Sequence, residues 1–177
     1  MARCVALLGS INVGGNRVKM ADLRKAFERA GFTNVATVTA SGNVLFDDNS
    51  SANAGARIAG LLQEEFGIDS FAALRSAEEL TAALAENPFA GTGEDKLVHT
   101  MFLETQPGGE AFSRLEVDHA GRGPEKVAPG TCALHIDYVE GAGNSKLTKP
   151  FIERRLGCRG TARNVTSIRR IIAAMEQ

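Results

Sequence analysis

The first 75 residues switch between two hydrophobic periods in a fixed order, and that order narrows the available folds more than composition does. Arg3 to Leu8 is a short apolar run that predicts a buried strand. From Met20 the spacing of Leu23, Phe27 and Ala30 is helical, with Arg24, Lys25, Glu28 and Arg29 on the wet side and Gly31 placed to end the helix. Val35 to Thr39 alternates, Ser41-Gly42-Asn43 turns, and Val44 to Phe46 returns as the partner of a hairpin. Asp47 to Ser51 is a polar loop, and Ile58, Leu61, Leu62, Glu65 and Phe66 mark a second helix that stops at Gly67. Ile68 to Leu74 completes a strand. The order is β-α-β-β-α-β, the split βαβ arrangement of a ferredoxin-like sandwich with two helices on one face of one sheet.

The second half follows a similar course. Ser76, with Glu79 three residues on, has the form of a capping box and starts a helix that ends near Asn87-Pro88-Phe89. Gly91 to Asp95 is the most linker-like segment. Leu97 to Leu103 predicts a strand, Gly109 to Leu115 a short helix, and Lys126 to Ala128 and Thr131 to Val139 two more strands. Thr148-Lys149-Pro150 opens a helix through Leu156, and Asn164 caps a last helix with an apolar stripe of Val165, Ile168, Ile171, Ile172 and Met175. The expected fold is therefore α+β, with ferredoxin-like subdomains at 1–75 and 97–177 joined by a helix and linker over 76–96. The second subdomain is expected to end in extra helices where the first ends in a strand.

Composition enters through what it excludes. With 44% hydrophobic and 23% charged residues the chain is that of an ordinary globular protein. No run approaches the roughly 18 to 20 apolar residues of a membrane span, and the short run after Met1-Ala-Arg-Cys lacks the form of a secretory signal. A cytoplasmic setting with no membrane partner is expected. Cys4, Cys132 and Cys158 are odd in number and far apart, which predicts free thiols and neither disulfides nor a metal site. Net charge is only −1, yet residues 141–177 hold eight basic and two acidic side chains while 41–140 hold six and seventeen. If the basic ends meet, they form a positive face.

Five co-linear strings, INVGGNRVKM at 11–20, SGNVLF at 41–46, NPF at 87–89, SKL at 145–147 and TARN at 161–164, resemble the bacterial family called domain of unknown function 1697. The resemblance runs the length of the chain and implies two ferredoxin-like subdomains; it implies no activity. The chain departs from the family's usual pattern in having Leu7-Leu8-Gly9-Ser10 where an arginine commonly precedes the first string, and Val165 where a tryptophan often follows the last.

The candidate chemistry is anion binding. Gly9 and Gly14 have the spacing of a nucleotide-hydrolysing phosphate loop, but Gly15 and Asn16 stand where its lysine and hydroxyl residue belong. The loop Ser10, Asn12, Gly14, Gly15 and Asn16, with Lys19 behind it and Ser41 and Asn43 in the next turn, still offers backbone N–H groups and a cation to a phosphate or carboxylate. In the C-terminal segment, Ser145 and Lys146 follow a glycine turn, and Thr161, Arg163 and Asn164 sit where the last helix is expected to start; Arg163 can grip an oxyanion with two parallel hydrogen bonds. The first reading is thus a small anionic or phosphorylated ligand bound in a cleft between the subdomains, with no cofactor and no metal. A second is an accessory protein that binds nucleic acid through Lys146, Lys149, Arg154, Arg155, Arg159, Arg163, Arg169 and Arg170. A third is an enzyme built on His99, His135 and Asp137, which alternation brings to one face of the second sheet if their two strands are adjacent.

Overall fold

The computed structural model describes residues 2–12, 15–48 and 53–177. The chain divides into two compact units, one of residues 1–80 with 169–177 and one of residues 81–168.

In the first unit β1 (Ala2–Leu8), β2 (Thr33–Val38), β3 (Asn43–Asp48) and β4 (Ala72–Arg75) form an antiparallel sheet in the order β2-β3-β1-β4. The intervening helices are α1 (Met20–Arg29) and α2 (Ala54–Phe66). That strand order is the ferredoxin-like one, and it follows from the two hydrophobic periods. Leu23, Ala26 and Phe27 of α1 and Ile58, Leu61 and Leu62 of α2 meet Ala6, Leu8, Val44 and Phe46 from one face of the sheet in a single core. Gly67 adopts a left-handed conformation and closes α2, as the sequence predicts. The other sheet face, with Val5, Leu7 and Leu45, is equally shielded from water, so both faces are lined by apolar side chains.

In the second unit β5 (Val98–Leu103), β6 (Lys126–Gly130), β7 (Ala133–Asp137) and β8 (Gly160–Asn164) repeat the pattern in the order β6-β7-β5-β8. Helices α4 (Gly109–His119) and α5 (Lys149–Leu156) lie on one face over Met101, Leu103, Leu134 and Ile136. Two helices are shared by residue membership: α3 (Ala77–Glu86) and α6 (Val165–Met175) each have residues in both units.

Two expectations are corrected here. The second half does end its βαββαβ repeat in a strand: the TARN string is not a helix start but β8, paired with β5 from His99↔Asn164 to Leu103↔Gly160. Four residues with an alternating pattern were too few to betray a strand beside a stronger helical signal. Residues 169–177, expected within the second subdomain, group with the first unit. Both cap assignments agree with the structure. Ser76 N–H donates to Glu79 Oε2 at 2.8 Å while Glu79 N–H donates to Ser76 Oγ at 3.1 Å, a closed capping box at α3. Asn164 Oδ1 accepts from Ser167 N–H at 2.8 Å at the start of α6. Among the described residues, no helix is long and apolar enough to cross a membrane.

Candidate functional site

The first loop is held by its own side chains. Asn12 Nδ2–H donates to Ala40 O at 2.7 Å and Asn12 Oδ1 accepts from Val18 N–H at 2.8 Å, while Asn16 Nδ2–H donates to Ser10 O at 3.1 Å. Ser10, Asn12 and Gly15 all have positive φ, an arrangement in which short polar residues and glycine are least strained. Gly42 of the following turn, at φ +81°, lies so close to Ile11 that an added Cβ would sit 3.0 Å from Ile11 Cβ. Asn43 is buried and donates from Nδ2 to Val38 O and Thr39 Oγ1, both at 3.0 Å. The INVGGN and SGN strings therefore tie the β1–α1 and β2–β3 connections to each other. The glycine turn does not run straight into a helix: α1 is capped at Lys19, whose side chain makes no capping bond, and Asp22 places a carboxylate in the first turn. Ser41 is exposed in the second turn. Gly14 lies outside the described residues.

The second unit carries a buried polar row on the sheet face turned away from α4 and α5. Register pairs Thr100 with His135 and with Arg163, so these three share that face, whereas His99 pairs with Ile136 on the other. This corrects the expected His99, His135 and Asp137 face: His135 and Asp137 are on one side, His99 on the opposite one. The strands are neighbours, but their register differs by one residue from the one needed, and a one-residue difference reverses every side chain. His99 instead packs its ring edge-on to Tyr138, 4.9 Å between centroids, and burial lowers its pKa. An enzyme built on the three residues together has no geometric basis. Among the described residues, no group of three or more His, Cys, Asp and Glu is placed to hold a metal ion.

His135, 0% exposed, hydrogen-bonds through Nδ1 to Thr100 Oγ1 at 2.9 Å and through Nε2 to Glu86 Oε2 at 2.8 Å. Glu86, at the end of α3, also accepts from Thr131 N–H and Oγ1–H. Burial pushes its pKa up, but the hydrogen bonds from His135 and Thr131 outweigh that and hold it below the usual carboxylate range. Asn87 of the NPF string reaches the same row, donating from Nδ2 to Thr100 Oγ1 at 3.3 Å and accepting from Phe89 N–H at 2.9 Å. Gly130 leaves the room: a Cβ there would lie 2.7 Å from both Glu86 Oε2 and His135 Nε2. Arg163, 6% exposed, donates to Thr161 Oγ1 at 2.6 Å and Ala162 O at 2.9 Å, and burial pulls its pKa down to about 10. Neither Glu86 nor Thr100 stood out in the sequence, because each matters only through a partner 49 or 35 positions away.

The expected basic stripe is partly neutralised within the second unit. Arg155 Nε lies 3.0 Å from Asp118 Oδ2 with its guanidinium over Phe151, and Arg159 makes a two-pronged pair with Glu104 at 3.2 and 3.1 Å. These partners come from the acidic middle of the sequence. Among the described residues, each carboxylate that the structure holds below its ordinary pKa (Glu86, Glu104 and Glu125) lies in this unit. A lowered folded pKa contributes stability above the unfolded carboxylate value and loses it as pH falls through the folded one. The second unit should therefore weaken below about pH 4.3. Urea midpoints read by Tyr138 emission, there being no Trp and one Tyr, should fall between pH 6 and pH 3.5; an unchanged midpoint would contradict the assignment.

Ser145 and Lys146 belong to a different place, a pocket of about 210 Å³ lined by Arg122, Glu125, Tyr138, Glu140, Ser145 and Lys146 among others. Ser145 Oγ–H donates to Glu125 Oε1 at 2.5 Å and accepts from Leu147 N–H at 3.0 Å, which fixes the SKL turn over the carboxylate. Burial raises the Glu125 pKa, while the Ser145 bond, its own backbone N–H and the charges of His119 and Lys146 bring it down further. Tyr138 is pushed up to about 12 by burial and by Glu125, so its phenol keeps its proton.

A family model described as "Protein of unknown function (DUF1697)" matches residues 1–134. Among solved structures, the chain is similar to the conserved bacterial protein SP0830 from Streptococcus pneumoniae, at 25% identity and a TM-score of 0.68, over 100% of this chain and 99% of that one. No curated protein matches.

Proposed function

The chain belongs to the DUF1697 family of proteins of unknown function, and from that premise we propose that its second unit binds a small ligand by an anionic group, in the pocket edged by Arg122 and Lys146. One observation carries this reading. Arg155 and Arg159 are matched by carboxylates, whereas Arg122 and Lys146 stand exposed at the pocket and form no salt bridge among the described residues. Arg122 is oriented by stacking on Phe151, 4.2 Å from the ring centre, which limits the entropy a ligand must remove from it. The protonated Tyr138 phenol adds a hydroxyl donor. A volume below the roughly 300–1,000 Å³ of drug-sized sites selects a small molecule. The setting we propose is cytoplasmic, supported by three cysteines that form no disulfide.

The test is a titration followed by Tyr138 emission, with inorganic phosphate, acetate and propionate as probes. Wild type should respond saturably, and Lys146→Ala and Arg122→Ala should each weaken binding about tenfold, the effect of one lost charge-assisted hydrogen bond. No response to any probe, or binding by both variants as tight as by wild type, overturns the proposal.

A further inference from the structure

We infer that the ligand of this pocket is a zwitterion, with an ammonium group held by Glu125 at the end opposite its anionic group; this rests on the anion-binding reading above. The ionisable lining is balanced, two cations (Arg122 and Lys146) against two carboxylates (Glu125 and Glu140). A plain anion entering it would be attracted by one pair and repelled by the other.

Glu125 is the built part of the site. Its side chain is 4% exposed, and only one oxygen is satisfied: Oε1 accepts from Ser145, while Oε2 has no hydrogen-bond donor. The neighbouring histidine does not supply one. His119 Nε2 lies 3.1 Å from the Glu125 carbonyl oxygen, within hydrogen-bond range, and 3.6 Å from Oε2, and His119 Nδ1 is likewise without a partner. Gly123 lets the carboxylate lie against the main chain, since a Cβ there would collide with it. Oε2 is closed to bulk water. A buried carboxylate one donor short is costly, and an N–H-bearing cation removes that cost. Glu125 lines the cavity, so a cation bound there lies in the field of its carboxylate. Substrates of this class include small amino acids and aminoalkyl phosphates, which differ in the anionic end and share the ammonium.

Matched probes separate the ammonium from the anion. L-Alanine is compared with propionate, and phosphoethanolamine with ethyl phosphate, each titrated by Tyr138 emission and by calorimetry on the full chain. One zwitterion should bind at least about tenfold more tightly than its matched anion, the weight of one hydrogen bond to a charged group, and which pair responds identifies the anionic end. Glu125→Gln should remove that preference and, by taking a negative charge out of the lining, tighten binding of the plain anion. Equal binding of zwitterion and anion overturns this inference while leaving the anion reading intact. Binding of neither overturns both. Should Glu125→Gln fail to fold, the wild-type comparison alone decides.

Discussion

Replacing His135 by alanine should destabilise the second unit by about 1–3 kcal/mol, the cost of removing one partner from a buried hydrogen-bonding row. The imidazole is fully buried and its two nitrogens answer Thr100 and Glu86. Deleting it leaves the Thr100 hydroxyl with Asn87 as a partner and leaves Glu86, whose side chain is 33% exposed, with Thr131 and solvent. The Thr131→Val control removes only one of the donors to Glu86 Oε1 and leaves the backbone N–H of residue 131 in place, so it should cost about 0.5–1.5 kcal/mol. Urea unfolding followed by Tyr138 emission measures both. A loss below about 1 kcal/mol for His135→Ala would mean that the row relaxes or hydrates, and that it is not a closed network.

Phe46→Ala should cost more, about 3–5 kcal/mol, in the first unit. Its ring is 0% exposed, 5.0 Å from Phe32 and 6.3 Å from Phe27, at the centre of the core between the sheet and α1. The cost combines lost transfer energy with a cavity that a strand in the middle of a sheet cannot collapse to fill. Because the chain forms two compact units, amide exchange is the more telling measurement. Protection should fall first in β1, β3 and α1, and uniform loss across both sheets would show that the units unfold as one.

Most elements of the fold were legible because each is signalled within a dozen residues. Gly67 and Gly31 mark the ends of helices, Ser76 with Glu79 marks a start, and the alternation of residues 97–103 marks a strand. The strand β8 was not legible, since Gly160 to Asn164 is short and bounded by a clear helix stripe. In the candidate site, Ser145 and Lys146 are legible as a hydroxyl and a cation after a glycine turn, and both line the pocket. Glu125 was missed. Nothing local distinguishes it from the other carboxylates of the acidic middle; its character comes from Ser145 and His119 closing over it.

By itself the sequence determined the periods, and with them which residues face a helix layer and the order of elements from which a ferredoxin-like sheet can be built. Only the tertiary structure decided register. Hydrophobic alternation states that a residue faces inward or outward, but not which residue of the next strand lies beside it, and that offset sets whether His135 meets His99 or Thr100. It also decided which charges are matched. Coulomb attraction between Arg159 and Glu104, 55 positions apart, depends on a distance that only the folded chain defines. The same distance dependence leaves Arg122 and Lys146 at the pocket with no carboxylate among the described residues close enough to form a salt bridge.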